Sequence, residues 1–154
     1  DAIVASVGGG GLLSGIATAA RALKPDIRIY AAEPETAAPL ATSLANGRAS
    51  SFPGWQASFV DGCGGKSVIP TMWPLLRDAV DASIVVSLDE IKQAMRRVAT
   101  GARVIAEGAG ACAVAAALSG RAGSGTIVAV VSGGNIDRAT FARITTETAP
   151  HIDD

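Results

Sequence analysis

The sequence predicts an α/β fold in which an open parallel sheet is covered by helices on both faces, so that the chain forms three layers. Two patterns indicate this class. Short runs of β-branched residues alternate with longer helical patterns, which is the order of a parallel sheet with crossover helices. The strand runs are also almost continuously apolar, as expected for strands that are buried on both faces.

Composition places the whole chain, residues 1–154, in a single domain of this class. The 154 residues are 49% hydrophobic and 18% charged, with a formal net charge of −1. This is enough apolar material for one core, and the near-neutral charge predicts no binding to nucleic acid or to an acidic membrane. The uncharged stretch at residues 2–20 could be a membrane or signal segment, but its glycines would break a spanning helix.

The expected strands, all in central positions, are residues 3–7, 27–31, 84–86 and 126–131. The helix after the first strand ends at Pro25, because proline cannot continue a helix. Its expected buried face consists of Leu12, Ile16, Ala19 and Leu23.

Two further helices have clear signals. Ser87 can cap a helix start while Glu90 reaches back to it in a capping box, ahead of the apolar stripe of Ile91, Met95 and Val98. Residues 108–120 are alanine-rich and uncharged but too short to span a membrane, which predicts a buried helix. Residues 46–71 are rich in Gly, Ser and Pro and predict a long functional loop.

The most informative motif is a run of four glycines, Gly8, Gly9, Gly10 and Gly11, between the first strand and the first helix. Backbone amides in such a turn can converge on a phosphate, and the helix N-terminus adds positive potential. The alternative is a glycine turn that serves packing alone. A dinucleotide fingerprint is excluded because Gly15 could complete it only if Leu12 were glycine, and no Gly-Lys-Ser/Thr follows to make a P-loop.

Polar residues follow other predicted strands and begin a helix. Ser132, Gly133, Gly134 and Asn135 come directly after the last strand, Glu33 ends the second strand, and Glu107 begins the alanine-rich helix. We expect these groups at the carboxyl edge of the sheet, where open α/β folds bind ligands. For each acid alone, a helix-capping or surface role is the alternative.

Cysteine and histidine usage predicts neither a disulfide framework nor a zinc site. Cys63 and Cys112 lack the spacing of metal ligands, which favours a reducing, cytoplasmic location. His151, in the polar C-terminal tail, is expected to be exposed to solvent.

Taken together, these motifs resemble the fold type II pyridoxal-phosphate enzymes, and among them the threonine/serine ammonia-lyases (dehydratases) and the serine racemases. The resemblance extends over essentially the whole chain, as the large-domain part of that fold. It is carried by the tetraglycine loop, the strand Tyr-Ala-Ala-Glu-Pro ending at Pro34, Asp61-Gly62, the Met-Trp-Pro-Leu-Leu-Arg segment ending at Arg77, Asp81, Asp89-Glu90-Ile91, Glu107-Gly-Ala-Gly-Ala and Ser132-Gly-Gly-Asn135.

The resemblance implies that pyridoxal 5'-phosphate is the cofactor. The amides of Gly8, Gly9, Gly10, Gly11 and Leu12 would hold its phosphate. Ser132 would contact the pyridine nitrogen, Glu107 would lie near the ring, and Gly62 would lie near the ring edge. A serine hydroxyl cannot keep that nitrogen protonated as an aspartate would, so the ring is a weaker electron sink and expulsion of a β-hydroxyl is favoured.

The implied reaction is elimination of water and ammonia from L-threonine or L-serine to give a 2-oxo acid. Two alternatives stay open: a serine racemase-type enzyme, and a non-catalytic phosphate-ligand binding or regulatory module. The family pattern for a divalent cation maps onto Glu33 and the carbonyl of Ala37, but its third position is Pro39, which cannot ligate through its side chain.

The resemblance also implies that this chain is the C-terminal portion of the enzyme. The lysine that carries the cofactor and the loop that holds the substrate carboxylate belong to the half before the glycine loop. None of Lys24, Lys66 and Lys92 has that lysine's sequence context, although Lys66 could swing toward the site. We therefore expect no catalytic residue in this chain, an amino-acid substrate, a homo-oligomer, and an exposed apolar surface that contacts the N-terminal half.

Overall fold

The computed structural model describes residues 1–146, so the prediction for His151 lies outside the described residues. Its sheet consists of parallel strands in the order β3-β2-β1-β4. The strands are β1 (Ala2–Ser6), β2 (Arg28–Pro34), β3 (Ala82–Val86) and β4 (Ile127–Ala129). The predicted parallel sheet is confirmed, with boundaries shifted by a few residues.

Helices cover both faces of the sheet and produce the three predicted layers. The α-helices are α1 (Gly11–Leu23), α2 (Pro39–Asn46), α3 (Trp73–Ala79), α4 (Leu88–Arg97), α5 (Gly108–Leu118) and α6 (Arg138–Thr146), and a π-helical segment (Val98–Ala102) follows α4. Helices α1, α2 and α3 contribute to one apolar cluster, whereas α4, α5 and α6 contribute to the other. Successive side chains of β1 point to opposite faces of the sheet: Ala5 packs in the cluster with α1, α2 and α3, and Val4 packs in the cluster with α4, α5 and α6.

The two helix predictions with local signals are confirmed. The Ser87 hydroxyl accepts a hydrogen bond from the Glu90 amide at 3.1 Å, and the Glu90 carboxylate accepts one from the Ser87 amide at 2.6 Å. Helix α5 is buried along most of its length, because its glycine and alanine residues allow it to lie close to the sheet. No helix in the described part of the chain is long and apolar enough to cross a membrane.

The predicted buried face of α1 is wrong by about one residue. Leu13 and Ala17 are buried, whereas Leu12 is 47% exposed and Leu23 is 89% exposed. Both sets of positions are apolar, so periodicity alone does not distinguish them. The turn at Gly10, with φ of 96°, sets the rotation of the helix and directs Leu13 toward the sheet.

The prediction that all strands are central is wrong for β3 and β4, which lie at the two edges of the described sheet. On β4 the side chain of Val128 is 53% exposed. An apolar run indicates a tendency to be buried, but it carries no information about how many neighbouring strands pair with it. The long loop prediction is confirmed, since the region between α2 and α3 contains only an isolated bridge between Ser51 and Ser67.

Candidate functional site

A cavity of about 170 Å³ lies at the carboxyl ends of β1 and β4. It brings together every residue that the sequence assigned to cofactor binding, and their role in binding stays a prediction. The lining consists of Ser6, Gly8, Gly9, Gly10, Gly11, Leu12, Leu13, Gly62, Cys63, Glu107, Ala109 and Ser132.

The glycine loop forms one wall of this cavity with main-chain atoms. Gly10 has φ of 96°, a left-handed conformation that favours glycine, and it precedes the first residue of α1. A β-carbon on Gly8 would lie 2.8 Å from the carbonyl oxygen of Gly62, so this position also requires glycine. The first amides of α1 have no partner within the helix and can bind an anion at this end.

Glu107 forms the opposite wall, between two loops that provide space for it. A β-carbon on Gly62 would lie 3.4 Å from the Glu107 Oε1 atom, and one on Gly133 would overlap that oxygen. Glu107 occupies the N-cap position of α5, yet its side chain makes no capping hydrogen bond. Its carboxylate is therefore held at the cavity by main-chain packing and is not used to cap its own helix.

Ser132 reaches the cavity because its loop is attached to the start of α5. The Glu107 amide donates to the carbonyl oxygen of Gly133 at 3.1 Å. The Ser132 residue is exposed, and its hydroxyl makes no hydrogen bond to another residue within the described range. This hydroxyl is available to a ligand.

Gly110 holds the serine loop in place by its lack of a side chain. A β-carbon there would lie 2.5 Å from the carbonyl oxygen of Gly133. We expect Gly110→Ala to lower the free energy of unfolding by about 1–3 kcal/mol, because overpacking outweighs the better helix propensity of alanine. Chemical denaturation measures the change.

Gly15→Ala is the matched control, since a β-carbon on Gly15, in α1, meets nothing within 4 Å. Alanine there should raise the free energy of unfolding by up to about 1 kcal/mol. Stabilisation by both substitutions would contradict the close contact between α5 and the serine loop.

A second cavity of about 190 Å³ shares Glu107 with the first one. Asp61 and Asn135, both part of the motifs noted in the sequence, line this cavity and not the glycine-loop cavity. Glu107 therefore lies between the glycine-loop cavity and a polar neighbouring space.

Glu33 does not reach either cavity, contrary to the expectation that it would join the other polar groups at the rim. Its carboxylate is fully buried beneath the N-terminus of α2. It accepts hydrogen bonds from the amide of Leu40 at 2.7 Å, the amide of Ala41 at 2.8 Å and the hydroxyl of Ser83 at 2.6 Å. Two of these donors are free amides at the start of a helix, where the positive end of the helix dipole attracts a carboxylate. The third donor is the hydroxyl of a residue on the neighbouring strand.

This arrangement argues against the cation site mapped onto Glu33 and Ala37. Both Glu33 carboxylate oxygens already accept hydrogen bonds. Within residues 1–146, no group of three or more His, Cys, Asp or Glu side chains is placed to hold a metal ion.

Glu33→Gln is expected to lower the free energy of unfolding by about 1–3 kcal/mol, because the new amide nitrogen cannot accept a hydrogen bond from a buried donor. Burial, the largest cause, raises the pKa of Glu33 above its ordinary value of 4.5, although hydrogen bonds from Ser83, Leu40 and Ala41 oppose it. The folded chain therefore binds this proton more tightly than the unfolded chain. The stability that this group contributes is fully present below pH 4.5 and is lost as pH rises through the folded pKa.

Denaturation of the wild type and of Glu33→Gln, from below pH 4.5 to above the raised pKa of the folded state, checks the prediction. The difference in the free energy of unfolding should narrow as pH rises. Glu35→Gln is the control, because Glu35 accepts one exposed hydrogen bond from the Leu88 amide at 2.9 Å, and the change should stay within about 0.5 kcal/mol. A difference that grows with pH would contradict the raised pKa.

None of the three lysines lines either of these cavities. The Lys66 ammonium lies 4.3 Å from the ring centroid of Trp55. Lys24 approaches Asp1 at 4.0 Å and Lys92 pairs with Asp89 at 3.0 Å. The Lys66 ammonium is thus held against the ring of Trp55, a residue that lines neither cavity.

Sequence reasoning missed two polar residues of the cavity, Ser6 and Cys63. The buried Ser6 hydroxyl donates to the carbonyl oxygen of Ala109 at 2.5 Å and so connects β1 to α5. A serine at the end of an otherwise apolar strand was the available signal. Cys63 adjoins the Asp61-Gly62 motif, but its spacing from Cys112 concealed their proximity.

Comparison with known proteins agrees with this geometry. The family model described as "Pyridoxal-phosphate dependent enzyme" matches residues 1–133. The chain is 34% identical to the catabolic L-threonine dehydratase TdcB of Escherichia coli K12 over 94% of its length. Over 89% of its own length, the chain is also 39% identical to serine racemase of Oryza sativa subsp. indica. The solved threonine deaminase of T.th. superposes with a TM-score of 0.82, at 36% identity over 88% of this chain.

The chain spans less than half the length of these proteins. It covers 45% of TdcB, 42% of the rice serine racemase and 46% of the threonine deaminase. The superposition confirms the fold type II class that the resemblance implied, while the remaining part of each relative has no counterpart in this chain.

Proposed function

The chain belongs to the family of pyridoxal-phosphate-dependent enzymes, and we propose that it is the phosphate-binding part of a threonine/serine ammonia-lyase. The complete enzyme would remove water and ammonia from L-threonine or L-serine and leave a 2-oxo acid. The observation that carries the proposal is the single cavity that gathers the glycine loop, Glu107 and Ser132.

The residues present fit the phosphate end of the cofactor. The loop offers main-chain amides without side chains, and a β-carbon on Gly11 would meet nothing within 4 Å, so space remains beside it. Ser132 lines the same cavity, and its hydroxyl has no partner among the described residues. When bound, the cofactor would withdraw electrons from the α-carbon of the amino acid.

The roles that we assign to the chain are binding and orientation. Gly8, Gly9, Gly10, Gly11 and Leu12 hold the phosphate through their amides. Ser132 orients the pyridine nitrogen by a hydrogen bond but, being a neutral hydroxyl, does not supply it with a proton. Glu107 and Gly62 stand on the opposite side of the cavity and limit the position of the ring.

No lysine lines the cavity, so we assign the covalent attachment of the cofactor to the half of the family's fold that this chain does not span. We infer that this half covers apolar side chains that are exposed here, among them Ile105, Val128 and Val131. Their exposed fractions are 59%, 53% and 38%. Assembly into a homo-oligomer and a cytoplasmic location remain predictions.

The proposal is tested with the complete enzyme by supplying L-threonine, L-serine and pyridoxal phosphate. We expect the release of ammonia together with 2-oxobutanoate or pyruvate. Release of neither product, with the cofactor bound, would contradict the lyase assignment.

Two specific results would favour the other candidates. Conversion of L-serine into D-serine faster than into pyruvate would identify a racemase, which the similarity to the rice serine racemase keeps open. Cofactor binding without any turnover would favour a non-catalytic module, an outcome consistent with the lack of a lysine in the cavity.

A further inference from the structure

Two cysteines from distant parts of the chain meet at the wall of the glycine-loop cavity. Cys63 is 2% exposed and lines the cavity, whereas Cys112 is fully buried in α5. Both are free cysteines and belong to one buried cluster. Their proximity follows from a close contact of the loop with the helix, since a β-carbon on Gly62 would lie 2.8 Å from the Ala109 Cβ atom. Cys112 follows Ala109 by three residues on the same helix face.

The two cysteines differ in their access to the cavity, since Cys63 is among its lining residues and Cys112 is not. The thiol of Cys63 is the largest cause that raises the pKa of Cys112, ahead of burial. A raised pKa keeps Cys112 as a protonated thiol, which is a poor nucleophile toward oxidants. Cys63 lines the cavity and Cys112 does not, so a small reagent that enters from solvent meets Cys63 first.

We propose that Cys63 and Cys112 are a redox modification site, at which a peroxide entering the cavity converts the two thiols into a disulfide. In the first step the Cys63 sulfur, as its thiolate, attacks a peroxide oxygen. The S–O bond forms, the O–O bond breaks, and the released hydroxide takes up a proton to become water, which leaves a sulfenic acid.

The second step closes the pair. The Cys112 sulfur attacks the Cys63 sulfur, the S–S bond forms, and the S–O bond breaks. The hydroxide that leaves combines with the proton of the Cys112 thiol to give a second water. In sum two thiols lose two electrons and two protons, and one hydrogen peroxide is reduced to two waters.

If the proposed function holds, oxidation of Cys63 and binding of the cofactor compete for the glycine-loop cavity. The Cα atom of Cys63 lies 3.7 Å from the position of a β-carbon on Gly8, so the thiol's loop packs directly on the phosphate loop. A bound phosphate closes the path to Cys63. A disulfide ties this loop to α5, the helix that begins beside Glu107.

The test treats the cofactor-free protein with hydrogen peroxide, blocks the remaining thiols with N-ethylmaleimide, and digests the protein with trypsin. Cleavage after Arg48 and Lys66 releases one cysteine, and cleavage after Arg103 and Arg121 releases the other. We expect mass spectrometry to find these two peptides joined, and to find them separate after reduction. A protein whose cysteines stay unlinked would overturn the proposal.

Single variants test the order of the two steps. In Cys112→Ala, Cys63 should accumulate as a sulfenic acid that dimedone labels. In Cys63→Ala, Cys112 should stay unlabelled, since it lies behind the cavity wall. Thermal unfolding of both variants verifies that they fold. If dimedone labelled Cys112 in Cys63→Ala as fast as the wild-type protein is oxidised, the assigned order of the two steps would be overturned.

Protection by a ligand tests the connection with the cavity in the wild-type protein. Pyridoxal phosphate at about ten times its dissociation constant should slow cross-linking by about tenfold, because about one cavity in eleven is then free of cofactor. Equilibrium dialysis measures binding separately. Bound cofactor without protection would overturn the competition and leave the proposed function intact. A lack of cofactor binding would remove the proposed function, while the linked peptides would still decide whether the cysteine pair is oxidised.

Discussion

Gly8→Ala is expected to weaken the binding of pyridoxal phosphate by at least about tenfold, which corresponds to about 1.4 kcal/mol. The reason is steric. Gly8 has no left-handed φ, so alanine is allowed by its backbone, but the added carbon would lie 2.8 Å from the carbonyl oxygen of Gly62. Because that oxygen belongs to the main chain, the two loops must move apart, and the amides of the glycine loop move with them.

Fluorescence titration with the cofactor measures the change in affinity. Gly15→Ala provides the control, because it also places alanine at a glycine of this region but meets no neighbour within 4 Å. Its affinity for the cofactor should match that of the wild type. Unchanged binding by Gly8→Ala would show that the glycine loop tolerates the added carbon and would remove it from the proposed cradle.

Ser132→Asp is expected to lower the rate of elimination on the order of a hundredfold in the complete enzyme, equivalent to about 2.7 kcal/mol in activation free energy. A carboxylate at this position would stabilise a proton on the pyridine nitrogen, whereas a serine hydroxyl does not. The stronger electron sink would favour competing reactions over loss of the β-hydroxyl. The rate of 2-oxo acid formation from L-threonine checks this.

Ser132→Thr is the matched variant, since it preserves the hydroxyl with one additional methyl group. We expect it to retain activity within about threefold, a change below about 1 kcal/mol. The pair separates the chemical effect of the carboxylate from disturbance of the loop at Gly133. Wild-type elimination by Ser132→Asp with normal cofactor affinity would exclude the assigned role of Ser132.

The features that sequence reasoning predicted well depend on a few neighbouring residues. The four glycines, the Ser87 and Glu90 capping box and the buried alanine-rich helix are each specified within a short stretch of chain. The position of Ser132 followed from a rule of the fold, because parallel strands end at one edge of the sheet. For these features the local pattern and the fold agree.

Apart from the edge positions of β3 and β4, the incorrect predictions concern orientation. Leu12 and Leu13 are both leucines at the start of α1, and the turn at Gly10 decides which of them is buried. Glu33 lies at the end of a strand, as the motif suggested. Its carboxylate accepts hydrogen bonds from the amides at the start of α2 and therefore does not point toward the rim of the sheet. Each result depends on where a helix begins and how it rotates, which apolar periodicity does not specify.

The amino-acid sequence by itself was therefore sufficient to predict the layers of this protein, its glycine loop and the family to which it belongs, because those properties arise from short-range patterns. The packing of distant segments established the rest. The Glu107 carboxylate lies between Gly62 and Gly133, and the loop that contains Gly62 and Cys63 packs against Ala109 of α5. Such contacts depend on the distance between helices and loops in the folded chain, a distance set by the summed packing of the core and not by any one motif.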